Sequence, residues 1–93
     1  MNTFSNNKPR AEKLSFDENS MSVYLTDGRI LIVPLAYFPR LLNADADERK
    51  KYFISGGGTG LHWDTLDEDI SVENLLLGIW DQTQPIKPFA KSA

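Results

Sequence analysis

The side chains best suited to chemistry lie around His62, the only histidine of the chain. Carboxylates follow it closely, first at Asp64 and then at the three consecutive acids 67–69. General acid–base catalysis and metal binding both use a histidine beside carboxylates. A zinc ion would need mostly carboxylate ligands here, and the acids lack the alternate spacing of an EF-hand loop. The pattern is more typical of a hydrogen-bonded or solvated strand histidine, followed by acids that precede a helix.

The other motifs do not favour an enzyme. No serine stands in a Gly-x-Ser-x-Gly elbow, and no nucleophile has a partner at a characteristic spacing. The glycine-rich segment 56–60 is followed by a strand pattern, whereas a phosphate loop leads into a helix, so a hairpin turn is favoured. We therefore predict a protein without catalytic, cofactor-binding or metal-binding residues.

His62 is predicted to lie on a strand. Leu61 and Trp63 alternate with polar neighbours, which is the period of a strand with one buried face. Leu61 and Trp63 should therefore face the core, and His62 should point the other way.

A helix is predicted to follow this strand, with Ser71 as its N-cap because a serine hydroxyl can accept a bond from an otherwise unpaired amide. The acids 67–69 precede that N-terminus, where the helix dipole favours negative charge. The helix should end near Trp80 or Asp81. Leu77 and Trp80 widen its apolar arc, which indicates a partner surface. Its core-facing residues recur at helical spacing: Val72, Leu75, Leu76 and Ile79.

The first half of the chain predicts a three-stranded antiparallel meander over residues 11–16, 21–26 and 29–33. Between the last two strands, Asp27-Gly28 predicts a type I′ turn, which needs positive φ at both central residues. Pro39 suits the first position of a short helix. Four neighbouring side chains are expected to cover the core: Tyr37, Phe38, Leu41 and Leu42.

The middle of the chain predicts a second short helix and a further strand. Asp45 and Glu48 form a capping-box pattern for a helix over residues 46–51, and Arg49 near its end complements the helix dipole. Residues 52–55 are predicted to form a strand that leads into the glycine-rich turn.

These elements predict an α+β fold: an antiparallel three-stranded meander, short helices, a second strand pair, and a C-terminal helix packed on the sheet. The 93 residues suffice for one domain with a thin core, which we place at residues 11–81. Residues 1–10 are polar and aperiodic and are expected to form a disordered tail. Residues 82–93 contain Pro85 and Pro88 and are expected to form an extended tail.

Charge is distributed unevenly along the chain. The formal net charge is −3, but residues 60–81 contain six acids and no Lys or Arg, so they carry −6 and the remainder +3. An acidic pole of this kind repels phosphate backbones and attracts basic surfaces, which argues against direct nucleic-acid binding. The lack of cysteine favours a cytoplasmic location, and no apolar run approaches the roughly 18 residues of a membrane span.

The acidic pole and the apolar edge of the last helix together form the candidate partner surface. Its residues are His62, Asp67, Glu68, Asp69, Glu73, Leu77 and Trp80.

A series of short motifs resembles the bacterial domain-of-unknown-function family two-four-four-two, over roughly residues 11–80. The motifs are Asp27-Gly28-Arg29, Val33-Pro34-Leu35, Tyr37-Phe38-Pro39-Arg40-Leu41, Glu48-Arg49, Gly60-Leu61-His62-Trp63 and the segment 66–76. The resemblance implies a small α+β domain. It also implies either a neighbouring gene for another small protein, in arrangements like toxin–antitoxin pairs, or fusion to a helix-turn-helix domain. The resemblance implies no catalytic residues, and no helix-turn-helix pattern follows Trp80.

Three functional hypotheses follow. The first is a non-enzymatic, antitoxin-like interaction module that binds a small and basic protein, encoded by the adjacent gene, through the acidic pole. The second is a metal-dependent or acid–base enzyme site at His62 and Asp67–Asp69. The third is an accessory subunit of a transcriptional regulator, whose partner carries the DNA-binding element. The sequence does not decide whether the chain also forms a homodimer.

Overall fold

The computed structural model describes residues 8–79. Within these residues, six strands and three short α-helices follow one another: β1 (Ala11–Phe16), β2 (Ser20–Leu25), β3 (Ile30–Pro34), α1 (Pro39–Leu42), α2 (Ala46–Arg49), β4 (Phe53–Ser55), β5 (Gly60–Trp63), β6 (Glu68–Ser71) and α3 (Val72–Leu76). The predicted α+β fold is confirmed. Trp80, the predicted tail 82–93 and residues 1–7 of the other predicted tail lie outside the described residues. None of the helices within residues 8–79 has the length and apolar character needed to cross a membrane.

The first sheet is the predicted meander, with strand order β1-β2-β3 and both pairings antiparallel. A register shift between Ala11 and Lys13 marks a bulge in β1. The bulge resets the alternation of side chains, so that both Ala11 and Leu14 are buried although three residues separate them. The inward faces of β2 and β3 contribute Met21, Val23, Leu25 and Val33 to the core.

The hairpin between β2 and β3 is confirmed, but the type I′ turn is wrong. Gly28 has a φ of 96°, whereas Asp27 does not have positive φ. The Gly28 N–H donates to the Leu25 carbonyl at 3.1 Å, and the Leu25 N–H donates to the Arg29 carbonyl at 2.9 Å. These bonds close a three-residue loop in which only the last residue is left-handed. The Asp27 carboxylate accepts bonds from the Arg29 backbone and side chain, which favours this alternative turn.

In the described part of the chain the second sheet has three strands, where the sequence predicted a pair. β4 and β6 both pair antiparallel with the central β5. The sequence places the acids 67–69 just before a helix that Ser71 caps, yet residues 68–71 alternate as a strand, with Glu68 and Ile70 buried and Asp69 exposed. Pairing with β5 offers the backbone of this segment a ladder of hydrogen bonds, which overrides the acidic composition.

The connection between the sheets confirms part of the prediction. Pro39 occupies the first turn of α1, and Asp45 and Glu48 form the predicted capping box of α2. Phe38 and Leu41 are buried, as expected. Tyr37 and Leu42 are 40% and 42% exposed, so their predicted role in covering the core is wrong. α1 has only four residues and presents a single buried side chain to the core.

The C-terminal helix is confirmed at its start and wrong at its end. The Ser71 hydroxyl accepts a bond from the Asn74 N–H at 3.1 Å, as predicted. α3 then ends at Leu76 because Gly78 adopts a φ of 81°. The N–H groups of Gly78 and Ile79 donate back to the carbonyls of Leu75 and Asn74, at 3.1 and 2.8 Å. This is a Schellman motif, which glycine favours because it has no Cβ.

Trp63 lies at the centre of the core between the two sheets. Its side chain is fully buried, and its indole N–H donates to the Arg49 carbonyl at 2.9 Å. The Tyr52 ring packs against it at 6.5 Å between centroids, and the Tyr52 hydroxyl accepts a bond from the Leu14 N–H of β1 at 3.2 Å. These contacts join the first sheet, α2 and the second sheet into one core.

The sequence predicts that Arg49 complements the dipole of its own helix, α2. In the structure its guanidinium bonds instead to the end of the preceding helix, α1. Its Nε and Nη2 atoms donate to the carbonyls of Leu41 and Leu42 at 2.8 and 2.9 Å. Helix-terminal carbonyls have no partner within the helix, so this guanidinium caps the end of α1.

We expect Arg49→Met to lower the free energy of unfolding by about 1.5–3 kcal/mol, because the change removes charge-assisted hydrogen bonds but keeps most of the apolar stem. Urea unfolding followed by circular dichroism measures the change. Lys50→Met, at an exposed neighbouring position, is the control and should be close to neutral. Equal stabilities of the two variants would contradict the capping role.

Candidate functional site

The outer face of the second sheet brings His62 together with residues from both neighbouring strands. The register places Phe53 of β4 and Asp69 of β6 on either side of His62. The next row along the sheet holds Ser55, Gly60 and Ser71. Leu61 and Trp63 point into the core, as predicted, so alternation puts His62 on the outside.

His62 is held between two carboxylates. Its Nδ1 atom lies 2.6 Å from Oδ1 of Asp69, and its Nε2 atom lies 2.6 Å from Oδ1 of Asp64. The Phe53 ring stacks on the imidazole with 6.5 Å between centroids and 26° between planes. Both carboxylates remain largely exposed to solvent, and each contacts the imidazole through one oxygen. Their other oxygens are therefore accessible to a ligand.

This geometry favours the imidazolium. A neutral imidazole carries one N–H and can donate only one of the two bonds, whereas the protonated ring donates both. The hydrogen bond to Asp69, followed by the one to Asp64, raises the pKa of His62 above its ordinary value of 6.5. A histidine with both nitrogens engaged offers no lone pair to a metal or a substrate proton. Residues 8–79 contain no group of three or more metal-ligating side chains placed to hold an ion.

The raised pKa of His62 predicts a pH dependence of stability. The contribution of His62 is fully present below pH 6.5, its unfolded value, and is lost as the pH rises through the higher folded-state pKa. NMR titration of the ring protons should show that Asp69→Asn lowers this pKa more than Asp64→Asn does. His62→Gln should remove the corresponding slope from the stability–pH curve. Asp27→Asn, on the other sheet, is the control; a wild-type His62 pKa at or below 6.5 would contradict the arrangement.

A polar groove lies beside His62 on the same face. It encloses about 550 Å³. Gly60 lies in it between Ser55 and Ser71 of the flanking strands, and Asp69 and Glu73 contribute carboxylates. Lys8 also lines the groove. Its carboxylates can receive a positively charged group, and its hydroxyls a hydrogen-bonding one.

The structure separates the consecutive acids 67–69. Asp69 reaches His62, and Asp67 is exposed in the turn before β6, in a left-handed conformation with a φ of 53° that aspartate tolerates better than most residues. Glu68 is only 4% exposed, so its predicted place on a partner surface is wrong. Its carboxylate faces inward, 3.9 Å from the Arg40 guanidinium, which also donates to the Asp67 carbonyl at 2.7 Å.

The other predicted surface residues lie apart from His62 or next to the groove. Glu73 is exposed on α3 and lines the groove, whereas Leu77 is exposed beyond the end of that helix. Trp80 lies outside the described residues. Asp64, which the sequence places close to His62, was left off the candidate partner surface, although the alternation of β5 puts it on the same side as His62. Phe53 was missed, because it follows only from the register between β4 and β5.

Comparisons with known proteins agree on the fold. A protein of unknown function from Rhodospirillum rubrum, solved as a crystal structure, is 36% identical, with 82% of this chain and 94% of that one covered and a TM-score of 0.72. An uncharacterised protein from Chromobacterium violaceum, solved by NMR, is 23% identical, with 78% and 69% covered and a TM-score of 0.68. A search of curated proteins finds no match. Residues 11–80 match the family model described as protein of unknown function (DUF2442). The chain therefore belongs to the DUF2442 family.

Proposed function

We propose that this domain is a non-enzymatic protein-interaction module that binds a basic segment of a small partner protein. The groove beside His62 is the observation that carries the proposal, because it combines two carboxylates with a floor that lacks side-chain bulk at Gly60. A lysine or arginine side chain fits these features, since it can bury its aliphatic stem and leave its charge at the carboxylates.

The surroundings of the groove support a peptide ligand. Phe53 is 56% exposed next to His62 and offers an apolar contact at one end of the site. Asp64, Asp67, Asp69 and Glu73 are all exposed, and their four charges outweigh the two positive charges of the imidazolium and Lys8. An acidic surface with an aromatic ring attracts a basic segment and then holds it by burial of apolar area.

The partner is proposed to be the product of the adjacent gene, in an antitoxin-like pairing within the cytoplasm. Co-expression of both chains, followed by affinity capture, tests for the complex. The informative variant is Asp69→Lys with Glu73→Lys, and its matched control is Glu12→Lys with Glu18→Lys, at exposed positions in β1 and in the turn that follows it. We expect the first pair to weaken binding at least about tenfold and to reduce its salt dependence, and the control to leave both unchanged. Failure of the wild type to bind, or equal binding by both variants, would overturn the proposal.

Two alternatives have distinct readouts. A metal-dependent or acid–base site at His62 predicts a shift of the histidine resonances on titration with zinc, manganese or magnesium. The two carboxylates that engage both ring nitrogens disfavour that result. An accessory role in transcriptional regulation predicts a mobility shift of DNA only when the partner is present.

A further inference from the structure

The outer edge of β3 presents backbone hydrogen-bonding groups without a strand opposite them in the described part of the chain. β3 is the last strand of the first sheet, and within the described residues it pairs only with β2. The Leu25 N–H donates to the Arg29 carbonyl, and the register continues with Val23 opposite Leu31 and Met21 opposite Val33. Because an antiparallel ladder alternates, the N–H and C=O groups of Ile30 and Ile32 point away from β2.

The side chains of this edge are also apolar and exposed. Ile30 and Ile32 are 54% and 64% exposed on the outer face of the sheet. An apolar groove of about 170 Å³ runs beside the strand, between β3 and residues Tyr37, Leu75 and Ile79. An exposed, hydrophobic edge strand is a template for pairing with another chain.

The opposite edge of the same sheet, β1, is protected against pairing with another chain, unlike β3. β1 carries the charged residues Glu12 and Lys13 at its bulge. The N–H of Leu14, directed away from β2, donates to the Tyr52 hydroxyl. Bulges, charges and covering side chains are the usual means of preventing edge-to-edge association. β3 pairs with β2 without a bulge and carries no charge, since residues 30–39 form an uncharged run of ten.

We propose that β3 pairs with β3 of a second copy of this chain, joining two first sheets into one six-stranded antiparallel sheet. A second copy fits this edge because the edge is uncharged and self-complementary: two chains of net charge −3 can meet here without opposing like charges, while the exposed acids 64, 67 and 69 lie in β6 and in the turn before it. Pairing about a two-fold axis at Leu31 sets Ile30 of each copy opposite Ile32 of the other. The outward N–H and C=O groups of Ile30 and Ile32 on each copy then bond to the other copy, which makes four hydrogen bonds in all. Pro34 has no N–H, but this pairing does not require one there.

Sedimentation equilibrium of the full chain over a concentration series tests the proposal. We expect the wild type to approach twice the chain mass of 10.5 kDa. Ile32→Lys should raise the dimer dissociation constant more than about 30-fold, because it sets two cations close together across the axis. Ile32→Pro removes the outward N–H, should act in the same direction, and leaves the β2 ladder intact. Leu42→Lys is the control, at an exposed apolar position away from the edge.

Amide hydrogen exchange distinguishes the two segments that could pair with the edge of β3: a second copy of the chain, or residues 80–93 of the same chain. Protection of the Ile30 and Ile32 amides that rises with protein concentration supports the second copy. A wild type that stays at 10.5 kDa up to millimolar concentration overturns it. If those amides are nevertheless protected, the edge is occupied by residues 80–93 of the same chain. Unchanged dimerisation of folded Ile32→Lys also overturns it.

Discussion

Trp63→Ala is expected to lower the free energy of unfolding by about 3–5 kcal/mol, which is a large part of the roughly 5–12 kcal/mol available to a domain of this size. The indole is fully buried between the two sheets, so its removal leaves a cavity that neighbouring strands cannot fill. The change also leaves the Arg49 carbonyl without its donor. Urea unfolding followed by far-ultraviolet circular dichroism measures the loss.

Trp63→Phe separates packing from hydrogen bonding. Phenylalanine keeps most of the apolar contact with Tyr52 but cannot donate to the Arg49 carbonyl. We expect this variant to lose about 1–3 kcal/mol, which is the cost of a buried unsatisfied acceptor with some loss of volume. A loss below about 1 kcal/mol in Trp63→Ala would contradict the central position of this side chain.

Gly58→Ala is the second change with a large expected effect, about 2–5 kcal/mol of destabilisation, from a steric clash added to backbone strain. Gly58 has a φ of 114° and is buried against β1. A Cβ atom there would lie 2.8 Å from Cβ of Arg10 and 2.9 Å from the Ala11 carbonyl oxygen. The backbone of β1 would have to move, and the contact between the two sheets would be disturbed.

Gly78→Ala is the matched control for the clash. Gly78 also has positive φ, 81°, but a Cβ atom there would meet nothing within 4 Å. We expect a loss of about 1–2 kcal/mol from the left-handed conformation alone. Urea midpoints of the two variants give the comparison directly. If Gly58→Ala costs no more than Gly78→Ala, the close approach of the glycine-rich turn to β1 is not a constraint on the fold.

The features that the sequence predicted correctly are those that neighbouring residues determine. The alternation of Leu61 and Trp63 placed β5, and the pairs Asp45 with Glu48 and Ser71 with Asn74 depend on residues three apart. Gly78 carries local information as well, because a glycine commonly ends a helix, but the predicted end near Trp80 or Asp81 followed the apolar spacing to Ile79 and did not take Gly78 into account.

The features that were wrong or missed depend on contacts between distant residues. Acidic composition suggested that residues 67–69 precede a helix, but pairing with β5 converts Glu68 into a buried residue and Asp69 into a partner of His62. Phe53 reaches the site through the register of β4, and the bond of Arg49 to the end of α1 joins two separate helices. Local periodicity carries no information on register, so the site could be predicted only around His62 itself.

The hydrogen bond from Leu14 to the Tyr52 hydroxyl spans 38 positions of the sequence, whereas each sheet is built from neighbouring hairpins. Contact order is consequently low inside each sheet and high between them. Closing a chain loop of that length costs entropy before any packing energy is recovered. Hairpin formation should therefore be fast, and the docking of one sheet on the other should set the folding rate of the domain.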